Sequence, residues 1–495
     1  MTQPNTDPLA GRLIPSLSHC LSLLGCLVLA AIAVRATLSP IFYYDSWWYH
    51  LPFSSYIWDI GGGAATFQIS PFLMERFKGF PLLWETVQGA FWAATGGLWS
   101  ITVPQTLLVL FYLYICRSLL SVPIGWLVLG LVACPMVLLH LQGTNNDLPA
   151  AIMIAIAFLL MSNLLSNASR PTDWVKAGGL VLAFAIAGNI KYQALIACFA
   201  ISVILGCGCL FLRGLSLRRR LALIALLTFA MTTANISAIK NFVSYGNPVY
   251  PINVSVAGVT LFQGTESSEY EANYPSYLLR GSQPVTFPSP VNFVLSISEL
   301  DWTMRGVAPW YNMDSVTGGS PRRGPPSRTG GWGLMFVALN LMLILTQLVH
   351  IRELHDRQHR ILLINVVLLT VLTAFLPRSH ELRYWIYLPL LWVPLNVRYL
   401  FGFFPRSTFT FAYMAGMAGL GLSLAALSPK SEMLDFAIPT RSHLLAQVEP
   451  EAREAIAATG RYCNAKSHYG FHASTAVTGI PAFIAVGPGL CEIEK

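Results

Sequence analysis

The sequence predicts an all-α polytopic membrane protein. Three observations predict it: a shortage of charge, a succession of apolar runs of membrane-spanning length, and an uneven spread of lysine and arginine over the short loops. Of 495 residues, 54% are hydrophobic and only 11% are charged, with a mean hydropathy of +0.56. A water-soluble chain carries about 25% charge. A bilayer tolerates the deficit because a lipid-facing surface needs no polar cover. Basic cytoplasmic loops account for the formal net charge of +8, so no nucleic-acid partner is called for.

Residues 1–16 read as a cytoplasmic tail. The run near 17–38 is too long for a signal-peptide core and has no small-residue cleavage pattern after it, so it reads as a retained first helix. Further runs fall near 100–118, 122–140, 147–165, 174–189, 191–212, 220–240, 331–350, 361–376, 384–400 and 408–427, which makes about eleven spans in a unit covering 17–427. Between two of them, "AGNIKYQ" reads either as a kink or as a turn. With the first helix leaving the cytoplasm, the cytoplasmic loops hold Arg117, Arg170 with Lys176, "RGLSLRRR", "HIRELHDRQHR" and "NVRYLFGFFPR". The reverse orientation would place all of these clusters outside, against the positive-inside rule.

Three large pieces then lie on the outer face: residues 39–99, residues 241–330 and a small tail over 428–495. The first contains "DSWWYHLPFSSYIWDI" and "PLLWETVQGAFWAAT", which both read as short amphipathic helices rich in Trp and Tyr, suited to the membrane interface. The segment "GGSPRRGPPSRTGG" is a basic linker or a lid carrying Arg322, Arg323 and Arg328. Seven cysteines, Cys20, Cys26, Cys116, Cys134, Cys198, Cys207 and Cys209, lie in or beside apolar runs and read as small buried hydrophobes. Cys463 and Cys491, in the outer tail, are either bonded to each other or free.

Five stretches stand out in order: "YDSWWYHLP" (Tyr44 to Pro52), "TNNDLPAA" (Thr144 to Ala151), "NIKYQAL" (Asn189 to Leu195), "IKNFVSYGNPVYP" (Ile239 to Pro251) and "ELRYWIYLPLL" (Glu381 to Leu391). In their order and their placement on the outer side, the chain resembles the GT-C superfamily of polyprenyl-phosphate-sugar-dependent glycosyltransferases. That group includes protein O-mannosyltransferases and lipid A aminoarabinose transferases. The nearer likeness is to bacterial members with a YDxxxYHLP stretch in the first outer loop. Those two branches carry an Asp-Glu pair where this chain has Asp45-Ser46.

The resemblance implies a GT-C-like fold in a bacterial inner membrane, with a periplasmic site. Its substrates would be a polyprenyl-phosphate-linked sugar and a lipid, glycan or protein acceptor. Such chemistry needs a base for the acceptor hydroxyl and cations for the departing phosphate. Asp45 either is that base or caps the interfacial helix starting at Ser46. Trp47, Tyr49 and His50 would line the sugar groove. Asp147 either is a second acid facing the same cavity or, like Asn146, serves as a helix N-cap beside Pro149. Asp59 reads as a surface residue.

For the phosphate, Arg383 comes first because a guanidinium grips oxygens bidentately, and Lys191 second, with Arg378 and His380 nearby. Arg35 and Lys240 are further candidates for the phosphate or else snorkel into the headgroups. No divalent metal is expected, because the acid-rich signature of the metal-using branch is missing. Direct displacement implies inversion at the anomeric carbon. The competing readings are a transporter or flippase of lipid-linked sugars, an O-antigen-type polymerase or ligase, and a non-catalytic scaffold.

Overall fold

The computed structural model describes residues 8–38, 46–60, 71–167, 173–211, 216–256, 259–265, 288–298, 332–376, 379, 381–404 and 408–426. Among them the chain is mostly helix. The elements are α1 (Pro8–Leu38), a π-helical turn (Ser46–His50), α2 (Leu51–Ile57), α3 (Pro71–Gly79), α4 (Leu83–Thr95), α5 (Val103–Leu120), α6 (Ile124–Val132) and α7 (Pro135–Leu141). They continue with α8 (Asp147–Ser166), α9 (Trp174–Ile190), α10 (Tyr192–Phe211), α11 (Leu217–Ala234) and α12 (Ile236–Tyr245). After β1 (Val254–Val256) and β2 (Val259–Phe262) come α13 (Ser289–Ile297), α14 (Leu334–Val349), α15 (Arg357–Phe375), α16 (Tyr387–Phe403) and α17 (Thr408–Ala426).

Each apolar run of the sequence falls on helix. Among the described residues, His19–Leu38, Trp99–Leu120, Asp147–Ser166 and Arg357–Phe375 are long and apolar enough to cross a membrane. Two bent pairs, α6 with α7 and α11 with α12, raise the number from 4 to 6 if each counts as one span. The run near 122–140 is therefore not one straight helix. It bends by 107° between α6 and α7, where Cys134 turns extended and Pro135, which has no N–H to give, opens the next helix.

The expectation of an all-α chain also needs a small correction. β1 and β2 pair antiparallel between α12 and α13, with Val256 opposite Val259. The two aromatic stretches of residues 39–99 do form α2 and α4, but they pack into the bundle end and do not lie free. Leu51, Pro52 and Phe53 of α2 are buried, and so are Trp84, Glu85 and Trp92 of α4. Not every cysteine is buried either: Cys116, Cys134 and Cys198 are, whereas Cys20, Cys26 and Cys207 are exposed.

α8 is the axis of the molecule. Of its apolar window, 94% is buried, against 17% for α1. Around it stand α5, α7, α9, α10, α15 and α16. α1 packs against α6 through two glycines: a Cβ on Gly25 would collide with the Gly125 backbone, and one on Gly125 with Ser22. Close backbone approach through small residues is how helices associate in lipid, where burying apolar surface gives no net gain.

α16 contains Pro394, which cannot donate to the carbonyl of Leu390 one turn earlier. The hydroxyl of buried Tyr112 donates to that carbonyl instead. A freed carbonyl far from water needs such a donor. Tyr112→Phe should therefore cost about 1–3 kcal/mol of stability, the penalty for one unpaired buried acceptor. Thermal unfolding in detergent checks this, with no change expected for substitutions on the lipid-facing side of α5.

Candidate functional site

The segment 144–147 gathers the site, because each of its residues reaches a different part of the chain. Asn146 occupies the N-cap position of α8 but makes no capping bond with its side chain, so the capping reading of Asn146 and Asp147 does not hold. Asp147 is the first residue of the helix, and its carboxylate meets the Lys191 ammonium at 2.5 Å. Lys191 is the single extended residue (φ −156°, ψ 137°) between α9 and α10, so "AGNIKYQ" is a true break and not a bend in one helix.

Asn189 anchors that break. Its Nδ2 donates to Ala185 O at 2.7 Å and to Thr233 O at 3.0 Å, and its Oδ1 accepts from the Ser237 hydroxyl at 2.7 Å. The end of α9 is thereby tied to the hinge between α11 and α12.

Arg383 arrives from the 3-10 turn Leu382–Trp385 that leads into α16. The Tyr384 ring stands between the two cations, with Lys191 Nζ 4.9 Å and Arg383 Cζ 5.0 Å from its centroid. Arg383 also donates to the Tyr384 hydroxyl at 3.1 Å and lies 3.7 Å from Glu381. Arg383 and His140 both act electrostatically on the Asp147 carboxylate. The Asp147 side chain is only 2% exposed, whereas those of Lys191 and Arg383 are 15% and 21% exposed. The cations can therefore meet an incoming anion that the acid cannot.

The turn Ser46–His50 and α4 rest on the other face of the same segment. Ser46 donates to Asn145 Oδ1 at 3.0 Å and accepts from Thr144 at 2.6 Å. His50 Nδ1 donates to Glu85 Oε1 at 2.5 Å, and Asn146 Nδ2 donates to the same oxygen at 3.3 Å. Asn146 also reaches Ile190 O at 3.4 Å, one residue before Lys191. An aromatic bridge joins the two halves. Tyr49 packs on His50 at 4.1 Å and lies edge-on to Phe80 at 6.3 Å, and Phe80 lies edge-on to Tyr192 at 6.4 Å.

Of the residues singled out in the sequence, Tyr49, His50, Asp147, Lys191 and Arg383 thus meet at one end of the bundle. His50 is enclosed, at 1% exposure, with Glu85 as its partner. Trp47 lies on the π-helical turn, and its side chain is outside the described residues. Asp45, His380, Arg378, Arg322, Arg323, Arg328, Cys463 and Cys491 are also outside them. Arg35 does not snorkel: it is 2% exposed and donates to Gln142 at 2.6 Å. Lys240 is exposed and donates to Lys78 O at 2.6 Å, and Asp59 lies on the surface. Sequence reasoning missed Glu85, Gln88 and the hydrogen-bonding role of 144–146. The available signal was an acid and a glutamine one turn apart in an otherwise apolar aromatic helix.

A strap ties α3 to α10, α12 and Tyr250 at this end. Tyr192 donates to Gly79 O at 2.6 Å, Asn241 donates to the same oxygen at 2.7 Å, and the Tyr250 hydroxyl donates to Glu75. The bond from Tyr250 holds the Glu75 carboxyl below the usual glutamate range; partial burial opposes this, and the Lys78 ammonium assists. A depressed carboxyl stabilises the fold above its unfolded titration range and loses that contribution as pH falls through the folded value. Hydrogen exchange over 71–79 should therefore quicken on acidification below the usual glutamate range. Glu75→Gln should remove that pH dependence.

Lys191→Met leaves Asp147 buried without its ammonium and should cost about 3–5 kcal/mol. Lys191→Arg, which keeps the charge, should cost less. Denaturation in mixed micelles compares the two.

Compared with protein-family models, with curated proteins and with solved structures, the chain matches none of them.

Proposed function

We propose that the chain is a membrane glycosyltransferase of the GT-C kind, with about eleven spans. It takes a sugar from a polyprenyl phosphate and passes it to a lipid, glycan or protein acceptor at the periplasmic face of a bacterial inner membrane. The observation that carries this reading is the meeting of Lys191, Arg383 and Asp147 at the bundle end where the first outer loop docks. Two partly open cations beside an aromatic ring suit a phosphate whose lipid tail stays in the bilayer. A further support is that Ser46, the residue after Asp45, hydrogen-bonds within the segment that ends at Asp147.

In this mechanism Asp45 accepts the proton of the acceptor hydroxyl as its oxygen attacks the anomeric carbon. The bond from that carbon to the phosphate oxygen breaks, and the polyprenyl phosphate leaves with the electron pair. Arg383 and Lys191 hold the departing phosphate, with His380 in reserve on the same loop. Attack opposite the leaving group inverts the anomeric centre. Trp47 and Tyr49 border the sugar, and His50 and Asp147 support that border from behind. No divalent metal takes part.

A transporter of lipid-linked sugars is the second reading. The two bent pairs, at 107° and 56°, favour it, since broken helices build many transport sites. Reconstitution with a radiolabelled polyprenyl-phosphate sugar and a membrane extract separates the two. Asp45→Asn should lower transfer about 100- to 10,000-fold, the range for loss of a general base. Arg383→Ala should weaken donor binding. Equal movement of label across sealed vesicles by wild type and Asp45→Asn, without transfer, would favour the transporter.

A further inference from the structure

We infer that Glu85 is the positioning residue of this site: one buried carboxylate oxygen sets the mutual placement of the turn Ser46–His50 and of the chain at residues 147 and 191. The inference rests on the glycosyltransferase reading for its consequence and on geometry for its substance. Glu85 Oε1 accepts from His50 Nδ1 at 2.5 Å and from Asn146 Nδ2 at 3.3 Å. His50 closes the π-helical turn that begins right after Asp45. Asn146 adjoins Asp147, and its same nitrogen reaches Ile190 O at 3.4 Å, next to Lys191. Three distant parts of the sequence thus take their register from one atom.

The helix that carries this atom is itself locked. A Cβ on Gly89 would crowd Ser54 O at 2.7 Å, so α4 lies backbone to backbone on α2. Gln88, on the same face one turn after Glu85, donates to Thr144 O at 2.9 Å. α4 therefore grips both the first-loop turn and the 144–146 segment and cannot slide on either.

Stability does not explain why an acid stands here. Replacing both partners of a buried polar pair by apolar groups of the same shape is commonly nearly neutral for stability. The second oxygen, Oε2, is buried and accepts no hydrogen bond among the described residues, which is a further cost. What the carboxylate supplies is direction, since the charge-assisted bond to His50 is short and oriented. Displacement of catalytic groups by a single ångström is enough to slow a reaction about 100-fold.

The test pairs turnover with a trap that does not depend on activity. Ser46→Cys and Asn145→Cys replace side chains whose oxygens lie 3.0 Å apart, and mass spectrometry measures how fast that disulfide forms in membranes. Adding Glu85→Gln should slow its formation at least about tenfold, as expected on losing a charge-assisted bond. His50→Gln, made from the other side of the pair, should do the same.

In the full-length enzyme without the cysteine pair, Glu85→Gln should lower kcat about 100-fold while the donor KM stays within about threefold. The double variant Glu85→Gln/His50→Gln should be no slower than either single one. A trap rate untouched by both single substitutions would overturn the inference even if transfer fell, and so would kcat losses that multiply. If the cysteine pair traps normally on the otherwise native chain but the wild type transfers no sugar, the glycosyltransferase reading falls, and the trap alone then decides on Glu85.

Discussion

An ammonium and a carboxylate 2.5 Å apart, one at a break between two helices and the other at the head of the most buried candidate span, fix one end of this bundle. Asp147 sits where water is scarce, and an isolated carboxylate there would cost several kcal/mol. The chain meets that cost by stopping α9 at Ile190 and restarting at Tyr192, which leaves Lys191 to face the acid. The break needs its own support, given by Asn189 against α11 and α12. It also sends Tyr192 to Gly79 O, so the strap at the end of α3 depends on the same interruption. Charge pairing, helix termination and loop docking form one arrangement here.

The same demand for partners at depth governs the far half of the molecule. Gln347 donates to Asn396 at 2.7 Å and accepts from His359 at 2.8 Å, while Asn396 and Tyr413 converge on Asn340. Five polar side chains on four helices are thus buried together and bonded to one another. Arg398 ends the series by pairing with Asp356 at 2.5 Å. Tyr112 supplies the donor that Pro394 withholds. These contacts specify which helix faces which in a solvent where apolar contact discriminates weakly.

Much of this was legible in the sequence, and the reasons differ by element. Apolar length marked each helical segment, because a bilayer enforces it. The "AGNIKYQ" stretch was legible as a kink or a turn, and tertiary contacts decide between them, whereas the break at Pro135 was hidden inside the run near 122–140, which reads as one span. Asp147, Lys191 and Arg383 were legible as charges placed against the apolar trend. Glu85 was not, since one acid in an interfacial helix ordinarily faces water, and its burial follows from the Gly89 approach that no local pattern announces. Arg35 was misread for the same reason: a cation near a helix end has two outlets, lipid headgroup or protein interior, and only the position of Gln142 settles the choice.

Arg35 carries a consequence for how the protein is made. Its guanidinium is held by Gln142, 107 residues further along the chain. α1 leaves the ribosome long before that partner exists, and before Gly125 is available to receive Gly25. The nascent segment must therefore wait at the translocon or at the membrane edge with an arginine that lipid disfavours. Insertion of the first helix is completed only by a later part of translation, so truncation before α7 should strand it.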